Sequence, residues 1–187
     1  MVVARIHGHI WKPFVRDCVI SATPKARISN SIFGTAKVAF KEYLAAAQSF
    51  KTEIQSLAVR GPNADFPKTF QSAKTGRAEV VIVVANPLMS QHIKQIFEIA
   101  TKSRVPTMTE EARYVEAGGL ISYGANLAEL YKRAAEYVVD ILKGHKPADL
   151  PVKLATKFEI IANLKTAKQI GVTIPQHVLV QADKVIK

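Results

Sequence analysis

The sharpest pattern of apolar and polar positions begins at Thr35. Phe40, Tyr43, Leu44 and Ala47 recur at helical spacing and predict an amphipathic helix over Thr35 to Phe50. Glu53 to Val59 alternates polar and apolar side chains, the two-residue period of a strand, and Gly61-Pro62 closes it. Asp65-Phe66-Pro67 marks a helix start, because a proline in the first turn gives up only an N–H that has no helical partner. That helix is expected to end near Gly76. Glu79 to Ala85 carries the unbroken run Val80-Val81-Ile82-Val83-Val84, which predicts a strand covered on both faces of a parallel sheet. Ser90 is the expected cap of the next helix, whose Ile93, Ile96, Phe97 and Ala100 form one stripe. Arg104 to Met108 predicts another short strand.

Further on, Gly118, Gly119 and Gly124 flank a short apolar run and predict a bend, a strand and a second bend. Leu127, Leu130, Tyr131, Ala134, Val138, Ile141 and Leu142 then mark a helix of about five turns over Asn126 to Lys143, stopped by Gly144. Pro147 and Pro151 keep the next linker extended, Phe158 to Ala162 is the last strand, and short helices follow Asn163 and Pro175. Before Thr35 the pattern dissolves. Met1 to Phe33 mixes apolar, basic and turn residues without a sustained period, with a strand candidate over Cys18 to Ala22 and a turn over Ala22 to Lys25. The chain divides accordingly into an atypical segment, 1–34, and a lobe, 35–187. Alternating strands and helices predict an α/β fold, a Rossmann-like parallel sheet flanked by helices with right-handed crossovers.

Composition changes this picture little. In 187 residues the apolar fraction is 48% and the charged fraction 22%, the values of an ordinary globular protein. A net charge of +11 invites a nucleic-acid reading. The basic residues are nevertheless dispersed, and an aromatic content of 7% without basic-aromatic interleaving offers no stacking platform. They read as a solvated basic surface suited to anionic partners or membrane surfaces, with no nucleic acid bound. Cys18, alone in the chain, excludes an intramolecular disulfide and a thiolate-rich zinc site. No run approaches a membrane span. His7, His9, Lys12, Pro13, Arg16 and Asp17 interrupt any apolar signal core, so no signal peptide is expected in this chain.

The search for catalysis is negative. G-x-G-x-x-G, the P-loop, H-E-x-x-H and G-x-S-x-G are all missing, and neither a catalytic residue nor a cofactor is expected. Lys74-Thr75-Gly76 matches one β-lactamase box but lacks S-x-x-K and reads better as a helix end. His7-x-His9 has no third ligand nearby, so no metal site is assigned. The loops after strands are better prospects, since open parallel sheets bind ligands outside the carboxyl ends of their strands. These loops are Asn86-Pro87-Leu88, Thr109-Glu110-Glu111 and Ser29-Asn30-Ser31. Two of them have a plainer reading. Asn-Pro is a common turn, and Glu110-Glu111 suit a helix N-terminus.

One set of segments is more specific. The glycine-hinged stretch Tyr114 to Gly124, Lys143-Gly144, Pro147-Ala148-Asp149-Leu150-Pro151 and Asn163-Leu164-Lys165-Thr166-Ala167 resembles solute-binding proteins of ABC importers with the type I periplasmic-binding fold, over roughly Thr35 to Lys187. The resemblance implies a two-lobed binder that closes on its solute, with this chain matching the second lobe plus a crossover helix, 126–143, that packs on the first. It implies a non-enzymatic role in which a small organic solute such as an amino acid is held and passed to an ABC permease, in the periplasm or at the cell surface. The candidate solute-contacting residues are Asn30, Ser31, Asn86, Pro87, Thr109, Glu110 and Tyr123, of which the resemblance itself implies Asn86 and Pro87 at the interlobe cleft. The chain departs from the family at Thr109-Glu110, where an aromatic residue and a glycine are usual. The alternatives are an interaction protein that forms a homodimer through helix 126–143 and, weaker, an enzyme using Glu110, Glu111 and Ser122.

Overall fold

The computed structural model describes residues 25–31, 43, 53–59 and 64–187. Strand β1 (Lys25–Ser31) pairs in parallel with β2 (Glu53–Val59) on one side and β3 (Val80–Val83) on the other. Next to β3 lie β4 (Thr107–Thr109) and β5 (Ile121–Ala125), also parallel. β6 (Phe158–Asn163) then runs antiparallel to β5, and β7 (Lys184–Ile186) runs parallel to β6. The sheet order is β2-β1-β3-β4-β5-β6-β7. The α/β sheet flanked by helices is the expected fold, while the change of direction at β6 and the whole of β7 are additions to it.

Burial follows the strand period. Val80, Ile82 and Val84 join one core with Met108, Ile160 and Ala162, closed by α6 (Leu164–Ile170) and α7 (Gln176–Gln181). Val81 and Val83 face the opposite core, with Phe66 and Phe70 of α1 (Phe66–Thr75) and with Ile96, Phe97 and Ala100 of α3 (Ile93–Lys102). Adjacent strand residues point to opposite sides, so only a strand sandwiched by both cores needs an uninterrupted apolar run.

The helix starts are chemically explicit. The Asp65 carboxylate accepts the Lys68 N–H at 2.9 Å, and Pro67 occupies the first turn of α1. Asn86, rather than Ser90, provides the next cap: its side-chain oxygen accepts the Met89 N–H at 3.1 Å and opens α2 (Pro87–Gln91). Ser90 lies inside α2, where its hydroxyl donates to the Asn86 carbonyl, and His92 begins α3 without a side-chain cap. An asparagine three residues ahead of a backbone N–H competes for the same capping geometry as serine, and here the proline after it settles the start.

β1 lies in the stretch that shows no period. Lys25, expected in a turn, is its first residue. Strand preference depends on neighbours more than on the local sequence, and β1 is paired along both edges. Of the helix expected over Thr35 to Phe50, Tyr43 alone is described, and it is helical. The strand candidate at Cys18 to Ala22, and His7 and His9, lie outside the described residues.

After β5 the chain leaves the sheet. Asn126 accepts the Glu129 N–H at 3.0 Å and starts α5 (Leu127–Leu142). The helix ends at Gly144, whose φ of +98° is open to glycine but strained for other residues. The return segment grips one flank of α5. Arg133 donates to the Leu154 carbonyl at 2.8 Å, the Tyr137 hydroxyl donates to the Pro151 carbonyl, and the Lys153 N–H donates back to that hydroxyl. No residue of α5 is buried, and Tyr131 and Leu142 are 73% and 82% exposed.

Candidate functional site

The parallel ladder lines up one row across four strands. Ser29 of β1 stands beside Val83 of β3, Val83 beside Thr109 of β4, and Thr109 beside Ser122 of β5. Everything just past that row forms the carboxyl-end rim of the sheet. Asn30 and Ser31 end β1, Asn86 and Pro87 follow β3, Glu110 follows β4, and Tyr123 is one step along β5. The sheet therefore brings all the sequence-derived candidates to one edge, although they are scattered over 94 positions of sequence from 30 to 123.

Their roles at that edge differ. Asn86 is buried, with its side-chain oxygen on the Met89 N–H and its amide nitrogen donating to the Val84 carbonyl at 3.0 Å. Its side chain shapes the loop. Pro87 is exposed at the first position of α2. Thr109 is buried, and its hydroxyl has no hydrogen-bond partner among the described residues; Ser122 beside it shares both properties. Tyr123 is half-buried and stacks on Phe158 of β6, ring centroids 5.6 Å apart.

Glu110 is the most constrained of the group. One carboxyl oxygen accepts the Ala85 N–H at 2.9 Å, which ties the loop after β3 to the end of β4. The other oxygen is buried without a hydrogen-bond partner among the described residues. Burial pushes its pKa above the usual carboxylate value and the Glu111 charge adds to this, while the Ala85 N–H and its own backbone N–H oppose it. Its backbone is equally engaged. A Cβ added at Gly124 would lie 1.8 Å from the Glu110 carbonyl oxygen, so the exit of β5 can pass over Glu110 only as glycine.

Sequence reading missed two neighbours of this rim. Tyr43 is one; burial, and then the Glu110 charge, raises its phenol pKa. The other is the link between α2 and α4 (Ala112–Glu116), in which Arg113 donates to the Ser90 hydroxyl at 2.9 Å and to the Glu111 carboxylate. Ser90 is also 3.0 Å from the Tyr114 hydroxyl. Glu110 and Glu111 thus separate in function, one tied to the sheet and one to Arg113. No periodicity in the sequence marks either link, because both join side chains more than twenty positions apart.

Away from the rim, Tyr137, Ile141, Pro147, Leu150, Pro151 and Val152 line a groove between α5 and the return segment. It is wide open, and its lining offers neither convergent polar groups nor a buried charge. Among the described residues no cluster of three or more histidine, cysteine or acidic side chains is arranged to hold a metal, and no helix is long and apolar enough to cross a membrane.

Comparison with known proteins agrees with this fold. A tyrosine-binding protein of Clostridioides difficile is 24% identical over 154 residues, covering 81% of this chain and 45% of its own length. The structure of a Streptococcus ABC domain in complex with L-Trp superposes with a TM-score of 0.81 at 24% identity, over 94% of this chain and 59% of its own. The ligand-free, open structure of a Clostridium difficile substrate-binding protein with adhesive properties gives 0.71 at 20% identity, again over 94% and 59%. The chain thus spans about half the length of the relatives it matches. The pattern that defines ABC transporter substrate-binding proteins, a family of binders and not of enzymes, matches residues 14–186, and the chain belongs to that family.

Proposed function

We propose that this chain forms part of the solute-binding component of an ABC importer, taking a small organic solute such as an amino acid at the carboxyl-end rim. The observation that carries the proposal is the convergence of Asn30, Ser31, Thr109, Glu110 and Tyr123 on one edge of the sheet, where open α/β sheets bind their ligands. Relatives named for tyrosine binding or seen with L-Trp favour an aromatic amino acid. An ABC permease is the partner that follows, and the periplasm or cell surface is the compartment. Asn86 and Pro87 support the loop beneath the solute, since the Asn86 amide is spent within that loop.

The test is a two-dimensional NMR titration with L-tyrosine and L-tryptophan. Shifts should concentrate on the amides of Ala85, Thr109, Glu110 and Tyr123. Shifts confined to α5, or saturation by neither amino acid at millimolar concentration, would overturn the proposal. A second reading, pairing of two copies through α5, is favoured only by the exposed Tyr131, Val138 and Leu142. Sedimentation of the chain as a monomer at high micromolar concentration would remove it.

A further inference from the structure

The rim holds an acid with an unfilled position. The Ala85 N–H fixes one Glu110 oxygen at 2.9 Å, which orients the carboxyl group, and the other oxygen is buried with no hydrogen-bond partner among the described residues. The titratable groups that bear on it are the Tyr43 phenol and the Glu111 carboxylate. Neither brings a positive charge, and the nearby Arg113 is engaged by Glu111 and Ser90. Thr109 and Ser122 leave further unpaired oxygens at the same strand ends. Strand alternation turns these two toward the core that holds Val83, and turns Glu110 toward the core that holds Val84 and Tyr43. Among the described residues, Glu110 is thus the acid of the rim whose geometry is set and whose second acceptor oxygen has no hydrogen-bond partner.

We infer that Glu110 is the specificity-determining residue for the solute, accepting its ammonium group on the free carboxyl oxygen. This rests on the solute-binding reading above. An ionised carboxylate only accepts, and bonds in which both donor and acceptor are charged are the strongest available to it. A neutral hydroxyl would fill the position without balancing the buried charge, and a carboxylate would be repelled. Because burial favours the protonated acid, ammonium capture displaces that proton to water. Affinity therefore rises with pH through the titration of Glu110, up to the point where the solute amine itself deprotonates.

The experiment compares L-tryptophan with its deaminated counterpart, 3-(indol-3-yl)propanoate, on the full chain and on Glu110→Gln, at pH 5 and pH 7. The glutamine is isosteric and can keep the Ala85 N–H bond through its carbonyl oxygen. Losing a charge-assisted bond should weaken L-tryptophan by roughly ten- to hundredfold in the variant. The deaminated analogue should bind both proteins alike, and the gain in affinity with rising pH should vanish in the variant. The wild-type preference for L-tryptophan over the analogue is read without any variant, so it holds even if Glu110→Gln fails to fold. Equal binding of the two compounds by the wild type, or undiminished L-tryptophan binding by a folded Glu110→Gln, overturns the inference and leaves the solute-binding reading standing. Binding of neither compound by the wild type removes both.

Discussion

Helices α3 and α5 carry similar sequence signals and meet opposite fates. Both are strongly amphipathic, with apolar residues at helical spacing. In α3 the stripe of Ile96, Phe97 and Ala100 is sealed against β3 and α1. In α5 every residue is at least partly open, and Leu127, Tyr131, Val138 and Leu142 are exposed. Amphipathicity states that a face is built to be covered. It does not state by what. The sheet answers for α3, whereas nothing in the described residues answers for the exposed stripe of α5, which the strap from Pro147 to Thr156 grips along another flank.

The largest test of this contrast is a pair of truncations. Phe97→Ala should lower unfolding free energy by about 3–5 kcal/mol, since it empties a closed core. Tyr131→Ala should cost within about 0.5 kcal/mol, as expected of a surface change. Denaturant melts of both variants measure this directly, and similar losses would mean that the α5 stripe is covered in solution. The junction between the two regions is next. Gly124→Ala drives a Cβ into the Glu110 carbonyl and should destabilise by about 1–3 kcal/mol or more, the cost of overpacking a tight site. A wild-type melting curve for this variant would show that β5 can leave the sheet by another path.

Two asparagine caps sharpen the comparison at smaller scale. Asn163 caps α6 inside the core, where its amide nitrogen also donates to the Val115 carbonyl. Asn126 caps α5 at the foot of the arm and donates its amide to the Glu159 carboxylate at 2.7 Å, both bonds being only partly buried and so less desolvated than those of Asn163. Replacement by alanine should cost about 2 kcal/mol at Asn163 and about half that at Asn126. Matching losses in thermal unfolding would erase the distinction between sheet and arm.

The smallest effect is that of pH on Glu110. The folded carboxyl holds its proton more tightly than the unfolded one, because its pKa is raised, chiefly by burial. The stability this contributes is fully present below the unfolded value of about 4.3 and is lost as pH rises through the folded value. Wild type should therefore lose stability relative to Glu110→Gln as pH climbs from the unfolded value through the folded one. Parallel melting profiles for the two proteins would show that the carboxyl is not desolvated as described.

Sequence pattern alone reached much of this fold. The apolar run of β3, the Asp65-Pro67 start of α1, the stripe of α3 and the full extent of α5 were legible, because each is a local property of a few turns or one strand. β1 was not, since its strand character comes from neighbours on both edges. The reversal at β6 was hidden for the same reason, as a strand has the same period in either direction. At the rim, sequence named the segments that follow β3 and β4 but took Ser29-Asn30-Ser31, the end of β1, for a loop, and it did not divide their labour. Asn86 proved to cap a short helix, α2, that the pattern did not separate from α3, Ser90 falls inside α2, and the bond from the Ala85 N–H to Glu110 spans 25 positions. That bond leaves no trace in spacing, and it is what separates Glu110 from Glu111.

The antiparallel pairing of β5 and β6 has a consequence for how this molecule can be rebuilt. Ala125 and Phe158 are register partners, so the chain departs and returns at adjacent points of one ladder. In topological terms, residues 126–157 are an oversized hairpin loop grafted onto an intact sheet. A two-residue Asn-Gly connection has the backbone twist to close such a ladder. The arm is thus a cassette: it can be cut out, or exchanged for another sequence of any length whose ends meet a few ångströms apart, without re-registering a single strand.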